Sequence, residues 1–339
     1  MFGHSLVEVG VFSLLIIVCM WLDLRSHNDD KPVTARNAAI WSAVWISLAF
    51  AFAGYIGWNE GASQMQLFIA GYLLEESLSV DNLFVMMAIF TSFGIKDAYQ
   101  HRVLFYGILG AVVMRLLFVA AGSSLIKMFG PYALAGFGVF VLWTAWKMFQ
   151  ALGKETEEDV DYSKHWAVRW TQKFIPVYTH LHGHDFFVRT DENGHAVEAP
   201  KKHVEGDTVK LAEKPVGKVI WRATPLFLCL VVIEISDIMF AFDSVPAVLA
   251  ITPDPFIVYT SNIFAILGLR SMFFLLAAAK RYLRHLEKSV IAILAFIGAK
   301  MLLDVAGVIH LPAMVSLSVV VGFLALGILA SFLPEKKAK

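Results

Sequence analysis

The sequence predicts an all-α integral membrane protein of about nine transmembrane helices, with an inverted 3+3 helix repeat inside it. Three observations carry this reading. The chain is 58% hydrophobic and only 17% charged, with a mean hydropathy of +0.65, a balance outside that of ordinary soluble domains. Its apolar stretches are long enough to cross a hydrocarbon core of about 30 Å at 1.5 Å per residue. Its Lys and Arg residues alternate in density from one connection to the next.

The spans fall, in order, at Ser5–Leu24, Ala38–Trp58, Leu67–Phe93, Arg102–Leu125, Tyr132–Leu152, Ala223–Ile251, Phe256–Ala279, Lys288–Val308 and Pro312–Leu333. The first has no Lys or Arg ahead of Arg25 and contains Glu8. It lacks the basic start of a cleaved leader and reads as a retained helix. Arg25, Lys31 and Arg36 follow it, and no basic residue follows the second span. Lys96 and Arg102 follow the third, Lys127 alone the fourth, and a long basic loop the fifth. None lies between Thr252 and Phe256, whereas Lys280, Arg281, Arg284 and Lys288 follow the seventh span. None lies in Ile309–Pro312, and Lys336, Lys337 and Lys339 close the chain. The positive-inside rule then places the amino terminus outside and the carboxy terminus in the cytoplasm.

The chain divides into residues 1–62 with two N-terminal spans, 63–152 with the first three-helix repeat, and 153–220 as a cytoplasmic loop. Residues 221–308 hold the second repeat, and 309–339 the last span and a basic cytoplasmic tail. Formal net charge is zero, so nothing bulk-electrostatic points to nucleic acid, and the apolar spans make the lipid bilayer the expected partner. Cys19 and Cys229 lie in apolar segments without metal or redox spacing and read as core residues.

Two acidic segments inside those spans look like copies of each other. Leu74-Glu75-Glu76-Ser77-Leu78-Ser79-Val80-Asp81-Asn82 matches Ser236-Asp237-Ile238-Met239-Phe240-Ala241-Phe242-Asp243-Ser244. Each has a carboxylate, five intervening residues, then an Asp and a small polar residue. The match continues from Gly107-Ile108-Leu109-Gly110 and Arg115 to Asn262-Ile263-Phe264-Ala265 and Arg270, and from Lys147-Met148 to Lys300-Met301. The third to fifth spans thus correspond to the sixth to eighth. Three is odd, so the copies insert in opposite directions, a recurring transporter plan with its site where the copies meet.

A charge at the bilayer centre costs on the order of 3 kcal/mol even on a lenient scale. Glu75, Glu76, Asp81, Glu234, Asp237 and Asp243 outnumber the basic groups Arg115, Arg270, Lys147 and Lys300. Salt bridges alone therefore leave some acids unmatched, and those must be protonated, hydrated or bound to a cation. On one straight helix Glu75 and Asp81 stand about 120° and roughly 9 Å apart, so aiming both at one ion calls for a local break near Ser79, Asn82, Ser236, Ser244 or Pro246. Glu234 and Asp237, three apart, share a face. An oxygen-only set favours Mg²⁺, Ca²⁺ or Mn²⁺, and the neighbouring Met239 tilts the choice toward a softer ion.

Weaker features lie in the long loop. His180-Leu181-His182-Gly183-His184-Asp185 is a candidate transition-metal cluster. Asp185–Arg189, Asn193-Gly194 and His195-Ala196-Val197 read as a small hairpin. Glu155–Asp161 forms an acidic solvated start to the loop. The chain has no His-Glu-x-x-His and no Gly-x-Gly-Asp, so it is not read as an enzyme, and no cofactor is expected.

Leu73-Leu74-Glu75 with Ser79-Val80-Asp81-Asn82, and Glu234-Ile235-Ser236-Asp237 with Phe240-Ala241-Phe242-Asp243-Ser244-Val245-Pro246-Ala247, resemble the two signature segments of the TerC/Alx family. Asp254-Pro255-Phe256-Ile257-Val258 and Ser261–Arg270 are similar to that family too, and so is His184–Arg189, with an extra Asp between His and the paired Phe. The resemblance implies a multi-pass protein of the bacterial inner membrane, in the LysE-type transporter group, exporting Mn²⁺ from the cytoplasm. Exchange against protons is the expected coupling. By motif position the metal-binding acids are Glu75, Asp81, Glu234, Asp237 and Asp243. The rival reading is a membrane scaffold of the tellurium-resistance type whose acids serve helix assembly; an exporter of another divalent cation such as calcium is the other.

Overall fold

The computed structural model describes residues 6–26, 34–151, 161–198, 217–279 and 286–331, with the backbone alone at a few helical positions that include Asp81 and Asp243. The acidic stretch before Asp161, the basic residues Lys280, Arg281 and Arg284, and the tail lysines lie outside the described residues. The elements run α1 (Leu6–Ser26), α2 (Ala35–Glu60), α3 (Ala62–Ser92), α4 (Asp97–Phe129), α5 (Pro131–Ala151), a 3₁₀ turn (Tyr162–Lys164), α6 (Trp166–Phe174), β1 (Phe187–Thr190), β2 (Ile220–Ala223), α7 (Pro225–Ile251), α8 (Pro255–Ala279), α9 (Leu286–Val305) and α10 (Ala313–Ser331).

Every apolar stretch expected to span is helical, because a lipid-embedded backbone must satisfy its polar groups internally. Among the described residues, six helices are long and apolar enough to cross a membrane: α2, α4, α5, α7, α8 and α10. α3 carries Glu75, Glu76 and Asp81 within it, which lowers its mean hydropathy. The boundaries have local causes. Gly61 separates α2 from α3 at φ 96°, and Gly130 separates α4 from α5 at φ 51° with Pro131 opening the next helix. Pro225 begins α7. Asp254 Oδ1 accepts the Phe256 N–H at 2.9 Å at the start of α8.

α3 lies along α8, and α4 lies along α7. α3 also meets α7, and α4 meets α8, so these four helices form the centre. α2 flanks α3 and α8, while α10 covers α3 and α9. α1 is pinned by Phe12, whose ring sits 5.7–6.1 Å from those of Phe52, Phe256, Tyr259 and Phe264. α5 crosses α9 at two glycines: a Cβ on Gly138 would lie 3.3 Å from the Gly298 carbonyl oxygen, and one on Gly298 3.0 Å from that of Gly138. Leu302 caps Gly138 and Leu142 caps Gly298, so the contact reads the same from either helix.

The loop departs from expectation. Gly194 makes the anticipated tight turn at φ 84°, but the arm after it forms only the bridge Thr190 to Ala196. The four-residue antiparallel partner of β1 is β2, with Phe187 opposite Ala223. β2 leads directly into α7, and its partner β1 comes from a segment too distant in sequence for local turn chemistry to reveal.

Candidate functional site

Arg115 of α4 is 1% exposed and stands where α3, α4, α7 and α8 meet. Its Nη1 donates to Glu75 Oε1 on α3 at 2.5 Å, to Ser244 Oγ on α7 at 2.9 Å, and to Asn262 Oδ1 on α8. Its Nη2 lies 3.9 Å from Asp237 Oδ1 on α7, within ion-pair range but beyond hydrogen-bond range. Asn262 is itself held by Nδ2 donating to the Val258 carbonyl at 3.0 Å. Nη1 carries two hydrogens for three acceptors, so these contacts compete. Glu75 Oε2, both oxygens of Asp237 and Arg115 Nε are buried without a hydrogen-bond partner. Two carboxylates against one guanidinium leave one negative charge in a site closed to bulk water. An uncompensated charge there costs several kcal/mol, and a cation or proton removes it.

Close helix approach builds this centre. A Cβ on Gly71 of α3 would fall 2.9 Å from Ser261 Oγ of α8 and 3.2 Å from Val248 Cγ1 of α7, too near to fit unmoved. On α4, a Cβ on Gly110 would collide with the Glu234 carboxylate of α7. Glu234 is thus seated over a glycine, one turn before Asp237. The expected local breaks are absent: α3 and α7 run as continuous helix through both acidic segments, Pro246 included. Glu75 and Asp81 therefore keep their spacing of roughly 9 Å along the axis, as do Asp237 and Asp243. The side chains of Asp81 and Asp243 lie outside what the structure describes.

Of the five predicted acids, then, Glu75 and Asp237 are brought together through Arg115, and Glu234 lies beside them against α4. Among the described residues no group of three or more His, Cys, Asp or Glu is arranged to hold a metal ion. Met239 is 60% exposed and offers no thioether to the buried acids. Of the loop histidines, His182 has both ring nitrogens engaged. His182 Nδ1 meets Asp185 Oδ2 at 3.2 Å and its Nε2 meets the Glu198 carbonyl at 2.8 Å, while the ring of the buried His184 lies tilted against Tyr99 at 5.0 Å between centroids.

Residues 60–339 match the family model described as "Integral membrane protein TerC family". The chain belongs to this family. It is 46% identical over 346 residues to the tellurium resistance protein TerC of Serratia marcescens, covering 99% of this chain and 98% of that one. It is 38% identical over 327 residues to the putative membrane-bound redox modulator Alx of Escherichia coli K12, covering 94% and 91%. An uncharacterized membrane protein of Myxococcus xanthus, STKORF319, is 39% identical over 328 residues. No solved structure matches the chain. Family membership makes this a multi-pass membrane protein, consistent with its apolar helices.

Two participants in this TerC-family site escaped the sequence reading. Asn262 was visible only as the counterpart of Gly107 in the repeat. Gly110 was visible only as half of a Gly-x-x-Gly pair. Glu76 has surroundings of its own: Tyr72 one turn back on the same face, and Gly268 of α8, where a Cβ would lie 3.6 Å from Glu76 Oε1 and 3.7 Å from Trp45 Cβ. Adjacent positions on a helix point about 100° apart, so Glu75 and Glu76 serve different junctions.

Proposed function

We propose that this TerC-family protein exports divalent metal, manganese above all, from the cytoplasm in exchange for protons. The observation that carries the reading is the buried Glu75–Arg115–Asp237 group, with three carboxylate oxygens that lack a hydrogen-bond partner. An all-oxygen donor set suits a hard divalent ion, and the family resemblance supplies manganese. α3 and α7 run antiparallel, with Gly71 against Val248 and with Glu75 and Ser244 sharing Arg115 Nη1. The continuous helices therefore support a two-level path: Glu75 with Asp243 at one level, Asp81 with Asp237 about 9 Å along at the next, and Glu234 one turn beyond Asp237. Arg115 then acts as a tethered cation, neutralising the acids between visits by metal.

The packing favours an inverted repeat within nine spanning helices. Exchanging α3–α5 with α7–α9 turns the α3–α8 contact into α7–α4, and maps the Gly138–Gly298 crossing onto itself. That crossing pairs 138 with 298 and 142 with 302, about two helical turns out of step with the Lys147-Met148 and Lys300-Met301 alignment. With the amino terminus outside, an inward proton gradient drives metal outward, since metal entering acids that hold protons displaces them.

The second reading, an assembly role of the kind suggested by the tellurium-resistance relatives, draws on the same Arg115, which ties four helices. Uptake of radiolabelled manganese into inverted vesicles separates the two. Export predicts uptake that magnesium and calcium compete for and that Asp237→Asn abolishes. Absence of uptake by the wild type in correctly inserted protein rejects export.

A further inference from the structure

The nine-residue helix α6 is held between two membrane-helix ends. Ahead of it, the Tyr162 N–H donates to Ser92 Oγ at the last residue of α3, at 3.2 Å. Behind it, the Ala223 N–H donates to the Pro176 carbonyl at 2.9 Å, and the Tyr178 N–H to the Ala223 carbonyl at 2.8 Å, two residues before α7 begins. α6 therefore lies in the plane where α3 ends and α7 starts, packed on α7.

Around α6 the side chains change character in sequence. Ala167, Val168 and Thr171 are buried. Trp166, Trp170 and Phe174, four residues apart, are 54%, 58% and 70% exposed, the last two with rings 5.0 Å apart. At 100° per residue these three fill an arc of about 80° next to the buried one. Arg169 and Lys173, both exposed, lie on the arc beyond it. Buried, aromatic, then basic is the order met in passing from protein through the acyl boundary to the headgroups, and Trp is the residue favoured at that depth.

We propose that α6 is an interfacial helix: its Trp166–Trp170–Phe174 stripe lies in the bilayer surface, with Arg169 and Lys173 on lipid phosphates. The occupant is lipid because α6 is tied to the ends of two membrane helices and because the basic pair matches anionic headgroups. The Asp161–Lys164 ion pair at 2.8 Å neutralises the turn ahead of α6 and leaves Arg169 and Lys173 as the charge of that face. This inference stands apart from the metal reading.

The test uses the full chain in vesicles of phosphatidylethanolamine and phosphatidylglycerol. A spin label on Trp170→Cys is compared with one on Gln172→Cys; Cys19 and Cys229 are buried and leave the new thiol as the reactive one. The label at 170 should collide with oxygen several-fold more than with a water-soluble nickel complex, and the label at 172 should show the reverse. Equal access to nickel at both positions overturns the proposal. Protection of position 170 from both agents also overturns it, since that marks cover by protein, either a second copy or another partner. Should Trp170→Cys fail to insert, quenching of tryptophan emission by brominated lipid decides. The quenched fraction should fall in Trp166→Phe/Trp170→Phe, and an unchanged fraction overturns the assignment.

Discussion

Replacing Arg115 by Met should be among the most damaging single changes in the chain, and a second change should relieve it. Arg and Met have similar helix propensities, and Met fills the aliphatic part of the side-chain volume, so the loss is electrostatic. Arg115 and Glu75 are 1% and 0% exposed, so water does not screen the broken pair. Removing one partner of a buried pair costs about 3–5 kcal/mol. Neutralising the orphaned acid should return part of that cost: Glu75→Gln in the Arg115→Met background should recover about 2–3 kcal/mol, the size of coupling seen between directly contacting groups. Asp237 keeps its charge in the double variant, so recovery is partial, and adding Asp237→Asn should extend it. Reversible unfolding in mixed micelles, followed by far-ultraviolet circular dichroism, measures all four proteins. If Arg115→Met alone costs under about 1 kcal/mol, or if Glu75→Gln deepens the loss, the buried ion-pair argument is wrong.

Asp81→Asn and Asp243→Asn should each abolish metal export while inserting normally, because the amide keeps the shape and loses the charge; wild-type manganese tolerance in both would refute their role. In proteoliposomes under clamped voltage, a manganese gradient should move internal pH together with metal, and Asp237→Asn should lose both signals; metal flux without a pH change points to a uniporter. Gly110→Ala displaces the Glu234 carboxylate, yet alanine gains up to about 1 kcal/mol of helix propensity, so transport should fall with no loss of thermal stability. A parallel drop in both would mark Gly110 as merely structural. Outside the membrane, burial holds the His165 imidazole below its ordinary range, and its neutral Nδ1 accepts the Ala167 N–H at 3.4 Å to cap α6. A lowered folded value means the cap is fully present above the ordinary value of about 6.5 and fades as pH falls through the folded value. Amide exchange of residues 166–174 should therefore accelerate, beyond the intrinsic pH effect, on acidification. His165→Asn, which caps without titrating, should remove that acceleration.

The helical fold was legible because a bilayer leaves the backbone few choices: apolar runs of spanning length must become helices, and each expected run did. The acids were legible for a related reason, since Glu75 and Asp237 inside such runs are too costly to be incidental. Local sequence did not disclose which groups meet. Arg115 reaches partners 40, 129 and 147 residues away, and only the packing of α3 on α8 and α4 on α7 selects them. The same packing set Arg115 between Glu75 and Asp237, on helices that run unbroken through both acidic segments. It also gave Met239 to the outer surface, His182 to structural hydrogen bonds, and β1 a partner from across the loop. Periodicity and hydropathy act along the chain and can be read there, whereas the pairing of buried charges depends on distances between helices that only the assembled bundle defines.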